Sequence, residues 1–158
     1  MHNARFIYWD ASVFLYYLNA EPDKIQTIEA ILDEVQKSKN DKIITSAVSK
    51  VEVAFVASEK LNRALSLEEE ANIDNLWNDS SVIEIVELND EITHIARNIL
   101  RQAMIKDWKP KPMDTIHLAS AEWVNAIEMH TYDRGLFKYG ELIGIDVKEP
   151  IVLQPKLF

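Results

Sequence analysis

Short β-type runs alternate with amphipathic helical patterns along the chain, and this alternation constrains the fold more than any other feature. The β-type runs are rich in Ile, Val and aromatic residues, which suit a buried pleated surface. They lie at residues 6–9, 42–45, 81–86, 127–132 and 143–147. Such alternation is typical of a parallel sheet covered by helices on both faces, so the sequence predicts an α/β fold.

Helical patterns with a period of 3.6 residues fill the intervals between these runs. We expect helices at residues 11–18, 21–38, 47–59, 61–77, 90–107 and 113–125, with a helical turn at 134–139. Ser46 is the expected N-cap of the third helix, and Pro110 and Pro112 must separate the fifth from the sixth.

Composition limits the kind of protein this can be. With 158 residues and 47% hydrophobic content, we expect one domain over residues 1–148 and a C-terminal tail over 149–158. The chain has no Cys and 3 Gly, which excludes disulfides, thiolate metal sites and a Gly-rich phosphate loop. Without a basic leader or an 18-residue apolar run, we expect no membrane segment and a cytoplasmic location.

The formal net charge of −9 argues against broad, non-specific binding to nucleic acid. Such binding comes from Lys and Arg side chains that displace counterions from phosphates. Bound divalent cations can reverse the sign of a carboxylate site locally, so a metal-dependent nucleic-acid enzyme stays compatible with this charge.

Four acids occupy special places in the predicted layout. Asp10 closes the first strand and Asp133 follows the fourth, so both are expected at the same edge of the sheet. Asp114 lies at the start of the sixth helix, near its positive end. Glu52 is the only acid in the apolar stretch 47–56, beside the buried stripe of the third helix.

Such a group of carboxylates needs a counter-charge. Two unit charges about 4 Å apart repel by roughly 4 kcal/mol at an effective dielectric near 20. Oxygen ligands without Cys or a His cluster suit Mg²⁺ or Mn²⁺, which polarise phosphoryl oxygens and activate water. The pattern therefore favours phosphodiester hydrolysis.

Each acid also has a purely structural interpretation. Asp114 is a possible helix cap, Asp133 a possible turn residue, and Ser49 with Glu52 fits a capping box that competes with the Ser46 cap. The joint placement of all four acids favours the functional interpretation.

The four acids lie in four segments: Ile7-Tyr8-Trp9-Asp10-Ala11-Ser12, Ser46 to Glu52, Asp114-Thr115-Ile116-His117-Leu118-Ala119, and Thr131-Tyr132-Asp133-Arg134. In this order the segments resemble those of the PIN-domain ribonucleases and, within them, of the VapC-like toxins of toxin–antitoxin pairs. The similarity covers about residues 5–147, and Trp9 is bulkier than the family pattern before the first aspartate.

The resemblance implies a three-layer α/β/α sandwich around a five-stranded parallel sheet. It implies a hydrolase that cleaves single-stranded or structured RNA with Mg²⁺ or Mn²⁺. Its catalytic and metal-binding residues would be Asp10, Glu52, Asp114 and Asp133. It also implies a homodimer that is the toxin partner of a small antitoxin protein.

Further residues are candidates for substrate contacts. For the hydroxyls of Ser12 and Thr131 two roles stay open: binding a metal-bound water or a phosphate, and satisfying only backbone groups. His117 is expected to be a buried, hydrogen-bonded histidine in preference to a base or ligand. Trp108 is the candidate for stacking on a base, and four basic residues are candidates for phosphate contacts: Lys109, Lys111, Arg134 and Lys138.

Two other function classes stay open. A phosphatase with Asp10 as nucleophile would share the aspartate at the strand end, but Ser12 stands where we would look for a second acid. A PIN-like RNA-binding or scaffold module without catalysis is the other, and the presence of all four acids counts against it.

Overall fold

The computed structural model describes residues 3–152, which form one five-stranded sheet with helices on both faces. The strand order is β3-β2-β1-β4-β5, and every neighbouring pair is parallel. This confirms the predicted α/β/α sandwich. The strands are β1 (Phe6–Trp9), β2 (Lys42–Ser46), β3 (Ile83–Val86), β4 (Glu128–His130) and β5 (Asp146–Lys148).

Seven α-helices and one 3₁₀ helix connect the strands within residues 3–152. The 3₁₀ helix follows β4 at Arg134–Tyr139. The α-helices are α1 (Ala11–Leu18), α2 (Ile25–Ser38), α3 (Val48–Leu61), α4 (Leu67–Asp74), α5 (Asp90–Ile105), α6 (Pro112–Trp123) and α7 (Gly140–Ile143).

Alternate residues of β1 enter two separate hydrophobic cores. Ile7 and Trp9 pack with residues of α1 and α2, including Phe14 and Ile28. Tyr8 points to the opposite face and packs with residues of α5 and α6. Side chains of a strand alternate between the faces of a sheet, so a strand that is apolar at every position is buried from both sides.

The expected single helix over 61–77 is wrong, because two local signals interrupt it. Asn62 ends α3 in the left-handed conformation, with φ of 56°, which Asn tolerates better than most residues. Ser66 then begins α4 with a capping box, in which its hydroxyl accepts from the Glu69 N–H and the Glu69 carboxylate accepts from the Ser66 N–H.

Two other boundaries differ from expectation. Ser46 belongs to β2, and Ala47 is the N-cap of α3, although the Ser46 hydroxyl accepts from the Val48 N–H at 3.2 Å. Ser49 lies inside α3, where its hydroxyl bonds that of Thr45 at 2.7 Å in place of a capping box.

The last strand begins three residues later than predicted. Ile143 ends α7, and Gly144 adopts a φ of 68°, a backbone conformation that favours glycine. After β5 the chain stays packed against the domain as far as Pro150, which is buried, and Ile151 and Val152 are exposed. The rest of the expected tail, from residue 153, lies outside the described residues.

Within residues 3–152, no helix combines the length and apolar content that a membrane crossing requires.

Arg5 and Asp41 join the segments that lead into the two central strands. The Asp41 carboxylate accepts from the Arg5 backbone N–H at 3.1 Å and from its guanidinium at 2.6 Å. Burial raises the pKa of Asp41, but hydrogen bonds from Arg5 and Ser38 outweigh burial and hold the pKa below its ordinary value.

We expect Asp41→Asn to lower the free energy of unfolding by about 1–3 kcal/mol at pH 7, because it leaves the part-buried guanidinium without its charged partner. The wild-type advantage should be complete well above pH 3.8 and disappear as the pH falls through the lower pKa of the folded carboxyl. Urea unfolding at several pH values measures both effects.

Asp33→Asn is the control, because Asp33 forms an exposed pair with Lys37. It should change stability by less than about 0.5 kcal/mol. Equal losses in the two variants would contradict a special role for the Asp41 pair.

Candidate active site

Asp10 follows β1 directly and is 6% exposed, at the point where the chain turns into α1. Its Oδ1 accepts from the Ser12 N–H at 3.0 Å and from the Ser12 hydroxyl at 2.5 Å. Its Oδ2 accepts from the Thr131 hydroxyl at 2.5 Å. The buried carboxylate is therefore the N-cap of α1 and the link between the carboxyl ends of β1 and β4.

The residues after β4 continue this network to Asp133. The Thr131 hydroxyl accepts from the Asp133 N–H, and the Ser12 hydroxyl accepts from the Tyr132 N–H, each at 3.0 Å. The Asp133 carboxylate, which is exposed, accepts from the Gly135 N–H at 2.9 Å and caps the 3₁₀ helix. The structure thus places Asp10 and Asp133 at one edge of the sheet.

Asp114 is the third residue of α6, after Pro112 at its first position. Its carboxylate is half-buried in the first turn of the helix, and the backbone N–H of Lys111 lowers its pKa. Burial raises its pKa above the ordinary value, and the negative charges of Asp133 and Asp10 act in the same direction. The three aspartates therefore share one electrostatic environment.

Asp10 also has a pKa above its ordinary value, chiefly because it is buried. The positive charge of His117 and the hydrogen bonds from Ser12 and Thr131 oppose this shift without cancelling it. The groups that hydrogen-bond the Asp10 carboxylate are hydroxyls and a backbone N–H.

Glu52 projects from α3 and is held by His117 of α6. The His117 Nε2 lies 2.5 Å from Glu52 Oε1, and its Nδ1 lies 2.6 Å from the Tyr8 hydroxyl. The Tyr8 hydroxyl in turn accepts from the Ser46 N–H at 3.1 Å. His117 is 2% exposed, so it is the buried, hydrogen-bonded histidine that the sequence favoured.

The sequence does not predict that the Tyr8 hydroxyl belongs to this series of hydrogen bonds. Tyr8 reads as one more apolar residue of a buried strand, and the spacing of His117 from Asp114 was the only local signal. A contact with the buried His117 thus holds Glu52 in place. Backbone N–H groups at the starts of helices hold Asp10 and Asp133, and two hydroxyls also hold Asp10.

The candidate substrate residues have different surroundings. Thr131 is fully buried, and its hydroxyl donates to Asp10, as does that of Ser12, so the structure assigns both hydroxyls to the acid and not to solvent. Arg134 donates to Glu149 at 3.2 Å on the surface. Lys111 is exposed at the start of α6.

The donor chemistry of the aspartates fits a hard divalent cation. Within the described range 3–152, no three acidic or histidine side chains are arranged closely enough to enclose an ion. Oxygen ligands alone nevertheless suit Mg²⁺ or Mn²⁺, and burial of Asp10 and Asp114 raises the pKa of both carboxyls. Glu52 differs, because its carboxylate already faces His117.

We expect Tyr8→Phe to lower the free energy of unfolding by about 1–3 kcal/mol, because it leaves the buried Ser46 N–H and His117 Nδ1 without the hydroxyl that they share. Urea unfolding measures the loss. Tyr17→Phe is the control, since within residues 3–152 the Tyr17 hydroxyl makes no hydrogen bond. A cost for Tyr8→Phe no larger than for Tyr17→Phe would show that the hydroxyl does not support the site.

Comparison with solved structures shows the same fold in toxin–antitoxin proteins. VapBC2 from Rickettsia felis, bound to a DNA fragment from its promoter, is 18% identical with a TM-score of 0.68, covering 91% of this chain and 98% of that one. FitAcB from Neisseria gonorrhoeae is 17% identical with a TM-score of 0.65, covering 91% and 97%.

The Mycobacterium tuberculosis toxin VapC20, which cleaves the sarcin-ricin loop, is 13% identical with a TM-score of 0.62, covering 86% of this chain and 94% of that one. At these identities the likeness is one of fold. Comparison with curated proteins gives no match. The PIN domain family profile matches residues 7–142, most of the chain, and the chain therefore belongs to the PIN-domain family.

Proposed function

We propose that the protein is a metal-dependent endoribonuclease. The observation that carries the proposal is the placement of Asp10 and Asp133 at one edge of the sheet, where the Thr131 hydroxyl links them. Asp114 shares this environment, because its pKa is raised chiefly by burial and further by the charges of Asp133 and Asp10. A cluster of this kind at the carboxyl edge of a parallel sheet is costly without a cation and suited to phosphate chemistry with one. Membership of the PIN-domain family supports the same reaction class.

In this proposal, Asp10, Asp114 and Asp133 would hold Mg²⁺ or Mn²⁺, and Glu52 would be a further carboxylate ligand. The ion supplies Lewis-acid polarisation of a phosphoryl oxygen and a more acidic water. Ser12 and Thr131 fix the orientation of Asp10, since their hydroxyls donate to both of its oxygens. His117 restrains the Glu52 carboxylate.

The biological setting that we infer is a cytoplasmic toxin with an antitoxin partner. Structural neighbours include VapBC and FitAB complexes, and one neighbour is a toxin that cleaves the sarcin-ricin loop. We carry over from them the RNA substrate, the antitoxin and the homodimer as proposals for this chain. An antitoxin cation would reach Asp114 and Asp133 more readily than Asp10, which is buried.

Replacing Asp114 with Asn tests the reaction. Asn keeps the side-chain oxygen at the helix start but removes one charge, so RNA cleavage with Mg²⁺ or Mn²⁺ should fall by roughly 100-fold or more. The raised pKa means that the folded state carries an electrostatic cost at pH values above it. Without metal, the melting temperature at pH 7 should therefore hold or rise.

Asp74→Asn is the matched control, because Asp74 lies exposed at the end of α4. It should leave cleavage unchanged. Undiminished cleavage by folded Asp114→Asn would remove Asp114 from the centre and refute the proposed site.

Co-expression with the product of the neighbouring reading frame tests the toxin role. We expect a stable complex with little RNA cleavage, because an Arg or Lys of the partner can neutralise the exposed acids in place of metal. Cleavage assays of the free chain and the purified complex, at equal concentrations of this chain, give the comparison. Full activity in the complex would contradict inhibition by that partner.

A further inference from the structure

Two lysines lie against one indole ring beside the acidic centre. The Lys138 Nζ is 4.8 Å from the centre of the Trp108 ring, and the Lys106 Nζ is 5.4 Å from it. Lys106 comes from the end of α5 and Lys138 from the 3₁₀ helix, so the fold brings the two ammonium groups together from separate segments. Attraction to the electron-rich ring face partly offsets their mutual repulsion.

Tyr139 connects this group to the acidic centre. Its ring meets that of Trp108 edge-on, with 5.1 Å between ring centres, and the residue is 3% exposed. Trp108 lies in the short connection that leads into α6 and Asp114, and Lys138 lies in the 3₁₀ helix that the Asp133 carboxylate caps. The charge of Asp114 also raises the Tyr139 pKa, after the larger effect of burial. Trp108 and its lysines therefore lie on the Asp114 side of the centre.

The charges of this group are only partly balanced. Lys106 pairs with Glu141 at 3.2 Å. Within the described part of the chain, Lys138 has no carboxylate at ion-pair distance, and its close partners are the rings of Trp108 and Tyr139. In a chain with 26 acidic and 17 basic residues, two cations placed beside one exposed carboxylate form a local site for a further anion.

We propose that Lys106, Lys138 and Trp108 form a clamp for the phosphate backbone of a single-stranded RNA that enters the centre from the Asp114 side. This inference rests on the proposed ribonuclease function and adds where the substrate strand lies. Once phosphates attract the lysines away from the ring, the half-buried indole offers a face on which a base stacks. An acidic peptide would satisfy the lysines but make no use of that face.

The clamp can be tested by binding, apart from catalysis. The probe is a fluorescein-labelled single-stranded RNA oligonucleotide in EDTA, followed by anisotropy at several salt concentrations. For single strands, log K changes with log salt concentration by about 0.7 per neutralised phosphate. Lys106→Gln/Lys138→Gln should therefore make the slope shallower by about 1.4.

Lys37→Gln/Lys60→Gln is the control, because it removes the same charge from the last turns of α2 and α3. The control should leave the slope unchanged. Trp108→Leu should weaken binding by roughly 5- to 150-fold, the usual cost of losing one stacked base. Trp108→Phe keeps a ring face and should recover most of that affinity, which separates stacking from a packing defect.

Equal slopes for the two double variants would overturn the clamp, as would a Trp108→Phe variant that is folded but no better than Trp108→Leu. Displacement of the oligonucleotide by poly-glutamate as efficiently as by unlabelled RNA would also overturn it in favour of an acidic protein partner. Failure of the wild-type protein to cleave RNA with metal refutes the ribonuclease proposal, whereas unchanged slopes with normal cleavage refute the clamp alone.

Discussion

The buried carboxylate of Asp10 is the contact on which the arrangement of the site depends. It begins α1, and it ties the end of β1 to the end of β4 through the Thr131 hydroxyl. β1 is the central strand of the sheet and β4 lies beside it. The contact therefore fixes where the segment that carries Asp133 begins after β4. Burial would disfavour the ionised form, and the surrounding donors compensate only in part, which leaves Asp10 with a raised pKa.

The acids of the site are held by different kinds of contact. Asp10 and Asp133 accept from backbone N–H groups at the starts of helices, Asp114 lies half-buried in the first turn of α6, and Glu52 faces the imidazole of His117. The aspartates gain orientation from these contacts without gaining a full positive charge. That difference is why the aspartates are the primary ligands for a cation in our account and Glu52 a more restrained contributor.

Much of the fold and of the acidic centre follows from local sequence patterns. Strand β1 and Asp10 were predictable because a continuous apolar run ends abruptly in an acid, and Asp114 because prolines mark the start of α6. Asn62 and Ser66 are local signals for the break between α3 and α4. The break was not predicted, because the helical periodicity on either side of it favours one continuous helix.

Contacts between residues distant in sequence could not be predicted. Nothing near Tyr8 shows that its hydroxyl meets His117, 109 positions later, and nothing near Arg134 shows that it pairs with Glu149. The placement of Lys106 and Lys138 over Trp108 likewise depends on how α5 meets the 3₁₀ helix. Each case is set by packing of whole elements, which periodicity and capping rules do not encode.

The central claim is that the three aspartates form one cation site at the carboxyl edge of the sheet. Titration of the ¹⁵N-labelled protein with Mn²⁺ tests it directly, because the bound paramagnetic ion broadens the amide signals around it. Our account predicts early broadening at Ser12, Asp114 and Asp133, and little at the exposed glutamates in the first turn of α4, Glu68 and Glu70. Broadening that began at Glu68 and Glu70 and spared the three former residues would contradict it.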